Sequence, residues 1–461
     1  MTTLNHEYLG TMPLQSNALS PSPRLSSLVL AILILTLPLM LGGRTPLSVA
    51  VLATGMGIVA LAVFWPREMP IQAKREGRFW AGFALAFSLY VGLQVLPVPF
   101  LAKTLGPYPS TLWQQPDFTP LTWSPNPHAT LEGWVVFLAL FTAAYATRHL
   151  PHRYLGWIAL AAVGAALFQT VYGLLAFTQG EQTILGLWPR PAPERLSGSF
   201  TNPNLAAHFL VMIWPLAVAL WWMPDMPFIS RLPSPLRLAA TLVAGSLIGL
   251  ALLSTASRLG AAAGLFAMFV LLVLHAQQRS GVVLWPLYTG VVGAALAALW
   301  FGLLPLTTRY IGEGLESQRW EVWGLMLHEL PWRYWVFGVG LGGFEAVFKS
   351  VQGAHITAWY DYAHNDLLQW LLEMGVVGAA LLVAAIVALI HRWRNSPLRA
   401  PVYAGMVALA LIALGDFSWH VGGVQIAAAA YLGILLRPSA GRRRRRSHNN
   451  LLINLPMSHS Y

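Results

Sequence analysis

The chain has 461 residues, 56% of them hydrophobic and only 10% charged, with a mean hydropathy of +0.58. Soluble domains carry about 25% charged residues. Charge this sparse cannot cover a water-facing surface, so a soluble enzyme and a disordered chain are excluded, and the absence of cysteine excludes a disulfide scaffold. The net charge of +11 comes from basic residues scattered between apolar runs, apart from one tail, which argues against a nucleic-acid partner.

Residues 1–25 are polar and rich in Pro and Ser, and are expected to form a cytoplasmic N-terminal tail. Apolar runs follow near 26–41, 47–65, 79–96, 130–147, 155–178, 204–223, 236–254, 259–276, 282–304, 367–390, 401–415 and 420–436. Most approach the roughly 20 residues that a helix needs to cross a bilayer. They predict an all-α polytopic membrane bundle of about twelve transmembrane helices, folded as one domain over 26–436. No small-residue cleavage site closely follows the first run, so it reads as a retained helix. Only Ser254 to Arg258 separate the two runs within 236–276, which predicts a tight turn. No internal repeat is visible.

Lys and Arg concentrate in alternate connections, which places both termini in the cytoplasm. The basic tail, 437–461, carries Arg442 to Arg446 and is expected to anchor the topology by binding anionic lipid. Three external connections exceed hairpin length: 97–129, 179–203 and 305–365. The last lies between the ninth and tenth predicted helices and is rich in Trp, Tyr and Gly. Its aromatics suit either interface anchors or platforms for sugar rings.

The residues able to carry chemistry collect on this external side. His364 stands where the large loop meets the next helix, in Tyr360-Asp361-Tyr362-Ala363-His364-Asn365-Asp366. Asn365 or Asp366 can cap that helix. A helix N-terminus disfavours an imidazolium, so His364 suits a neutral base, or else a simple hydrogen-bonding turn residue. Glu373 lies seven residues after Asp366 on roughly the same helix face, and an acid within a membrane span is a functional candidate. Arg195 lies in Arg195-Leu-Ser-Gly-Ser-Phe-Thr-Asn-Pro-Asn204, where Asn202-Pro203 reads as a turn and Asn204 as a possible cap. Arg258 sits in the tight turn, and Arg309 and Arg319 open the large loop. Each arginine, taken singly, could snorkel to lipid phosphate. Together, Arg195 and Arg258 suit a bound phosphate group, because the planar guanidinium pairs with two phosphate oxygens at once. Asp416 and His420 flank the last external hairpin as weaker candidates. Gly338-Val-Gly-Leu-Gly-Gly-Phe344 only superficially resembles a dinucleotide fingerprint, because no strand precedes it, and reads as a flexible or closely packed turn. No metal-ligand spacing is present, so neither a metal nor a cofactor is expected.

Three of these stretches resemble the O-antigen ligase and O-antigen polymerase superfamily of bacterial inner-membrane glycosyltransferases. They are Arg195 to Asn204, Ser257-Arg258-Leu259-Gly260, and His364-Asn365 followed after nine residues by Gly375-Val-Val-Gly378. The likeness covers most of 150–390. It implies transfer of a glycan from undecaprenyl pyrophosphate to an acceptor hydroxyl at the periplasmic face, without metal and with inversion. The acceptor would be lipid A-core, a growing glycan or a protein hydroxyl, so ligase, polymerase and protein oligosaccharyltransferase remain open. His364 would be the base, with Arg195, Arg258 and Arg319 holding the pyrophosphate and Asn204, Asn365 and Asp366 in support. The resemblance assigns no role to Glu373. The rival from another class is a polysaccharide transporter. It fits less well, because the predicted spans carry almost no charge besides Glu373.

Overall fold

A computed structural model describes residues 21–64, 71–108, 119–223, 226–278, 318–353, 356, 359–392 and 396–437. Those residues hold eight helices long and apolar enough to cross a membrane, and three shorter apolar helices. In chain order the larger helices are α1 (Pro21–Thr36), α2 (Pro46–Phe64), α3 (Ile71–Val95), α5 (Pro127–His149) and α6 (His152–Thr178). After these come α7 (Pro203–Ala219), α8 (Ser234–Ser254) and α9 (Arg258–Gln278). The last three are α13 (Asp366–Arg392), α14 (Arg399–Ile412) and α15 (Gly422–Leu435). Short helices fill the connections: α4 (Pro99–Leu105), α10 (Gln318–Glu329), α11 (Trp332–Phe337) and α12 (Phe344–Phe348). One two-residue hairpin pairs Thr183–Ile184 with Trp188–Pro189. The predicted run at 282–304, Arg309, residues 1–20 of the N-terminal tail and the C-terminal tail beyond Arg437, with Arg442 to Arg446, lie outside the described residues.

The chemistry of each helix decides its place. Helix α7 is apolar all round and almost wholly buried, which suits only the centre of a bundle. Around it pack α6, α8, α9 and α14, while α15 packs against α5 and α14. Small residues permit the close approaches. A Cβ at Gly405 of α14 would run into the backbone of Met212 in α7, and one at Gly433 of α15 into Ala144 of α5. The outer helices expose large apolar side chains, among them Leu47, Leu61, Leu85 and Leu89. This inverts the soluble pattern and fits contact with lipid.

The helix expected after the large loop is broken. Within α13, Gly375 takes φ 57° and ψ −153°, a conformation that glycine alone adopts without strain. The break frees carbonyls, and the glycine-rich turn at 338–344 satisfies them. Val339 N–H donates to the Leu372 carbonyl at 2.9 Å, and Gly340 N–H to the Glu373 carbonyl at 3.0 Å. Trp123 Nε1 donates to the Gly338 carbonyl at 3.0 Å, and Thr130 Oγ1 to the Leu341 carbonyl at 2.8 Å. The turn is thus a closely packed wedge against the broken helix. Glu373, fully buried, ties the same two pieces together. Its carboxylate accepts from Gln369 Nε2 at 3.1 Å, with the Phe344 amide at 3.4 Å. Gly375→Ala would place a Cβ against the Val336 carbonyl and force a positive φ. The backbone strain alone costs on the order of 1–3 kcal/mol. A clear loss of thermal stability in detergent is expected, and an unchanged unfolding temperature would refute the account.

Candidate active site

The site is built where two short connections cross at one end of the bundle. One is the approach to α13, residues 360–366. The other joins α14 to α15, residues 413–421. Asp366 N–H donates to the Ala413 carbonyl at 2.9 Å, and Asn365 Nδ2 to the Leu414 carbonyl at 3.0 Å. Asn365 Oδ1 accepts from Leu368 N–H at 3.0 Å, so Asn365 is the residue that caps α13. Asp366 does not cap. Its Oδ2 accepts from Trp419 N–H at 3.1 Å, and its Oδ1 lies 3.4 Å from His420 Nε2.

Between these anchors His364 is held at φ +52°, a left-handed conformation unusual outside glycine. Its surroundings over-determine it. Ala363 N–H donates to Gln369 Oε1 at 2.9 Å, and the Ala363 carbonyl accepts from Trp323 Nε1 at 2.7 Å. The result aims His364 Nδ1 at Asp416 Oδ1, 2.9 Å away. Rings enclose the imidazole: Phe417 stands edge-on at 4.8 Å and Tyr360 at 5.9 Å between centroids. The His364 side chain stays 20% exposed, against 3% for Asp416.

Asp416 is the hub. Oδ1 also accepts from its neighbour's amide, Phe417 N–H, at 3.0 Å. Oδ2 lies 3.5 Å from both Arg319 Nη2 and His208 Nε2. Burial pushes this carboxyl's pKa up, but the facing His208 and His364 rings and the Arg319 charge outweigh it and hold the group well below its ordinary value. Asp416 is therefore a carboxylate, an acceptor only, and Nδ1 of His364 carries the proton that faces it. Nε2 of the same ring is then the nitrogen able to take a proton.

The predicted arginines reach the same end of the bundle by different routes. Arg319 Nη1 donates to the Gly415 carbonyl at 2.7 Å, so the residue braces the 413–421 connection as well as facing Asp416. Arg195 Nε donates to the Thr255 carbonyl at 2.9 Å and Nη2 to Asn204 Oδ1 at 2.8 Å. Asn204 is thus an arginine-orienting residue. The cap of α7 is Asn202, whose side chain accepts from Asn204 N–H at 2.8 Å. Arg258 opens α9 in the turn that Arg195 grips. That turn meets the carboxylate segment through Leu259, whose Cδ2 would lie 3.1 Å from a Cβ at Gly415. Glu373 lies at the helix break, one side chain removed from the His364 turn: Gln369 donates to it at 3.1 Å and accepts from Ala363 N–H at 2.9 Å.

Two participants were missed. Arg44, between α1 and α2, pairs with Asp361 Oδ2 at 2.8 Å and lies over the Tyr362 and Phe417 rings at 5.3 and 5.4 Å. In the sequence it is one basic residue among several. His208 stands in an apolar run with no neighbouring polar residue after Asn204, and only its imidazole could have signalled a role. Among the described residues, no group of three or more His, Asp or Glu side chains is placed to hold a metal ion.

A helical membrane protein with a braced histidine–carboxylate pair and arginines at one end of the bundle is suited to proton and phosphate chemistry beside a membrane. Residues 240–383 match the family model described as O-antigen ligase. The O-antigen ligase superfamily read from the sequence motifs is thereby supported. The matched segment includes Arg258, Arg319, His364 and the Gly375–Gly378 pair, and leaves Arg195, His208 and Asp416 outside it. No curated protein and no solved structure matches the chain.

Proposed function

We propose that the chain is a metal-independent, inverting glycosyltransferase of O-antigen ligase type. It moves a glycan from undecaprenyl pyrophosphate to an acceptor hydroxyl at the periplasmic face of a bacterial inner membrane. In this reading about twelve helices cross the membrane, both termini are cytoplasmic, and the tail arginines Arg442 to Arg446 meet anionic lipid. The observation that carries the reading is the His364–Asp416 pair at 2.9 Å, with the Arg258 turn and Arg319 packed on the same connection.

The chemistry follows from those residues. The acceptor oxygen attacks the anomeric carbon on the face opposite the phosphate. The new C–O bond forms as the bond from the anomeric carbon to the phosphate oxygen breaks, and that electron pair leaves with undecaprenyl pyrophosphate. The acceptor's proton passes to His364 Nε2, while Asp416 fixes the tautomer and steadies the imidazolium. The departing pyrophosphate gains charge, and Arg195, Arg258 and Arg319 supply guanidinium groups for it.

The test is purified protein with a lipid-linked glycan and candidate acceptors, in detergent and without any gradient. Transfer supports the reading, and its absence with every acceptor would return the transporter. The acceptor used separates lipid A-core ligation from chain polymerisation and from protein glycosylation. Arg258→Ala is expected to abolish measurable transfer, since removing one such charge-stabilising donor costs about 10²–10³-fold. Full activity in that variant would remove Arg258 from the site.

A further inference from the structure

Helix α7, at the centre of the bundle, carries a histidine where every neighbour in sequence is apolar. His208 is 0% exposed. An imidazole so placed is costly unless its nitrogens are engaged. Its Nδ1 lies 3.2 Å from Ser418 Oγ, and its Nε2 lies 3.5 Å from Asp416 Oδ2. Asp416 and Ser418 both belong to the connection that crosses the His364 segment. The histidine thus joins the buried helix to the back of the carboxylate that holds His364.

The tautomer follows from the partners. Asp416 is an acceptor only, so the proton of His208 sits on Nε2, facing it. Nδ1 is then an acceptor, and the Ser418 hydroxyl donates to it. A carboxylate offers about four acceptor positions. His364 Nδ1 and Phe417 N–H occupy those of Oδ1, and Arg319 Nη2 and His208 Nε2 face Oδ2. With His364 and Phe417 bonded to Oδ1, the carboxylate cannot rotate without losing a hydrogen bond. The Arg319 side chain is 29% exposed, whereas the His208 side chain has no access to solvent. Of the two Oδ2 partners, His208 is therefore the one that bound substrate cannot draw away.

We propose that His208 is a positioning residue for the base. It holds Asp416 by Oδ2 so that Oδ1 keeps His364 in the tautomer with Nε2 ready to accept a proton. The proposal rests on the glycosyl-transfer reading for its kinetic consequence, but not for its structural one.

The experiment uses the full chain and three variants, His208→Leu, His208→Gln and His364→Ala. Leucine keeps much of the volume and removes the donor, whereas the glutamine amide can place an N–H near the position of Nε2. The first readout is ¹⁵N NMR of the imidazoles, with the His364 signals assigned from their absence in His364→Ala. Wild type should show His364 protonated on Nδ1 alone. His208→Leu should show a mixture of tautomers, and His208→Gln should restore the single one. The second readout is transfer of the lipid-linked glycan. His208→Leu should lower kcat by about ten- to a hundredfold with KM nearly unchanged, as expected for a loss felt only in the transition state. His208→Gln should recover most of it. An unaltered His364 signal in His208→Leu would overturn the proposal. So would an equal fall of both His208 variants with the His364 signal intact, which marks a packing role alone. If His364→Ala still transfers glycan, the base assignment fails, and the NMR comparison still decides the link from His208 to His364.

Discussion

Replacing His364 is expected to lower glycan transfer by about 10²–10⁴-fold, the contribution typical of a positioned general base. The protein should remain folded and inserted, because backbone amides anchor the pieces around His364, Asp366 N–H to the Ala413 carbonyl and Ala363 N–H to the Gln369 side chain. The substitution must respect the backbone. His364 sits at φ +52°, where a residue other than glycine is strained. Asparagine tolerates that region better than alanine. His364→Asn therefore removes the base with less backbone penalty, and His364→Ala adds a modest loss of stability. The check is initial rate on purified, detergent-solubilised protein, with thermal unfolding run in parallel. Equal and near-complete loss in both variants, with His364→Asn unfolding close to wild type, is the expected result. Wild-type rates in a folded His364→Asn would remove the ring from the chemistry.

Asp416→Asn carries the second large effect. The amide is close in shape to the carboxylate but turns one of its two acceptors into a donor. Four donors converge on Asp416: His364 Nδ1, Phe417 N–H, Arg319 Nη2 and His208 Nε2. Whichever way the amide turns, its N–H₂ faces N–H groups. If it turns toward His364, the ring must shift its proton to Nε2 and can no longer accept one. A loss of about 10³–10⁴-fold in kcat is expected, on the scale seen when a histidine's orienting carboxylate becomes an amide. Activity within tenfold of wild type would sink the role given to Asp416.

The same residue predicts an acid dependence of stability. The carboxyl pKa of Asp416 is held well below its ordinary 3.8 in the folded protein. A group whose pKa is depressed on folding stabilises fully above the unfolded value, and that stabilisation is lost as pH falls toward the folded one. The stability difference between wild type and Asp416→Asn should thus stay level from neutral pH down to about 5. It should narrow as pH falls through about 4 and below. Unfolding temperatures across that range give the test, and a gap that widens on acidification would reverse the assigned sign.

The polar residues that crowd one end of the bundle differ in how far their roles could be read in advance. His364 was legible because it lies in a local pattern, next to a capping asparagine and ahead of the Gly375–Gly378 pair. Arg195 and Arg258 stood out as arginines beside turn-forming residues in short external segments. Asn365 and Asn202 were readable as caps or turns, since a cap is a local matter of a side chain and the amides two or three residues on. The cap expected at Asn204 is not there, and Asn202 caps α7 instead. Asn204 is drawn away by Arg195, and that bond depends on the distant turn at Thr255. Glu373 gave only the signal of a costly charge in an apolar helix. Gln369 is a local partner four residues earlier on the helix, but the Phe344 amide arrives only once the glycine-rich turn is wedged into the broken helix.

The sequence by itself determined the solvent and the class of this protein. Low charge and long apolar runs demand a bilayer, and in a bilayer a single chain satisfies its backbone within helices. It also determined which local motifs carry His364 and the arginines, because caps, turns and glycine spacings are written in neighbouring residues. Tertiary structure alone decided the constellation. Asp416 meets His364 across 52 residues and His208 across more than 200, through the crossing of two connections. A carboxylate's role depends on which donors surround it, and no local pattern records donors that arrive from three separate parts of the chain.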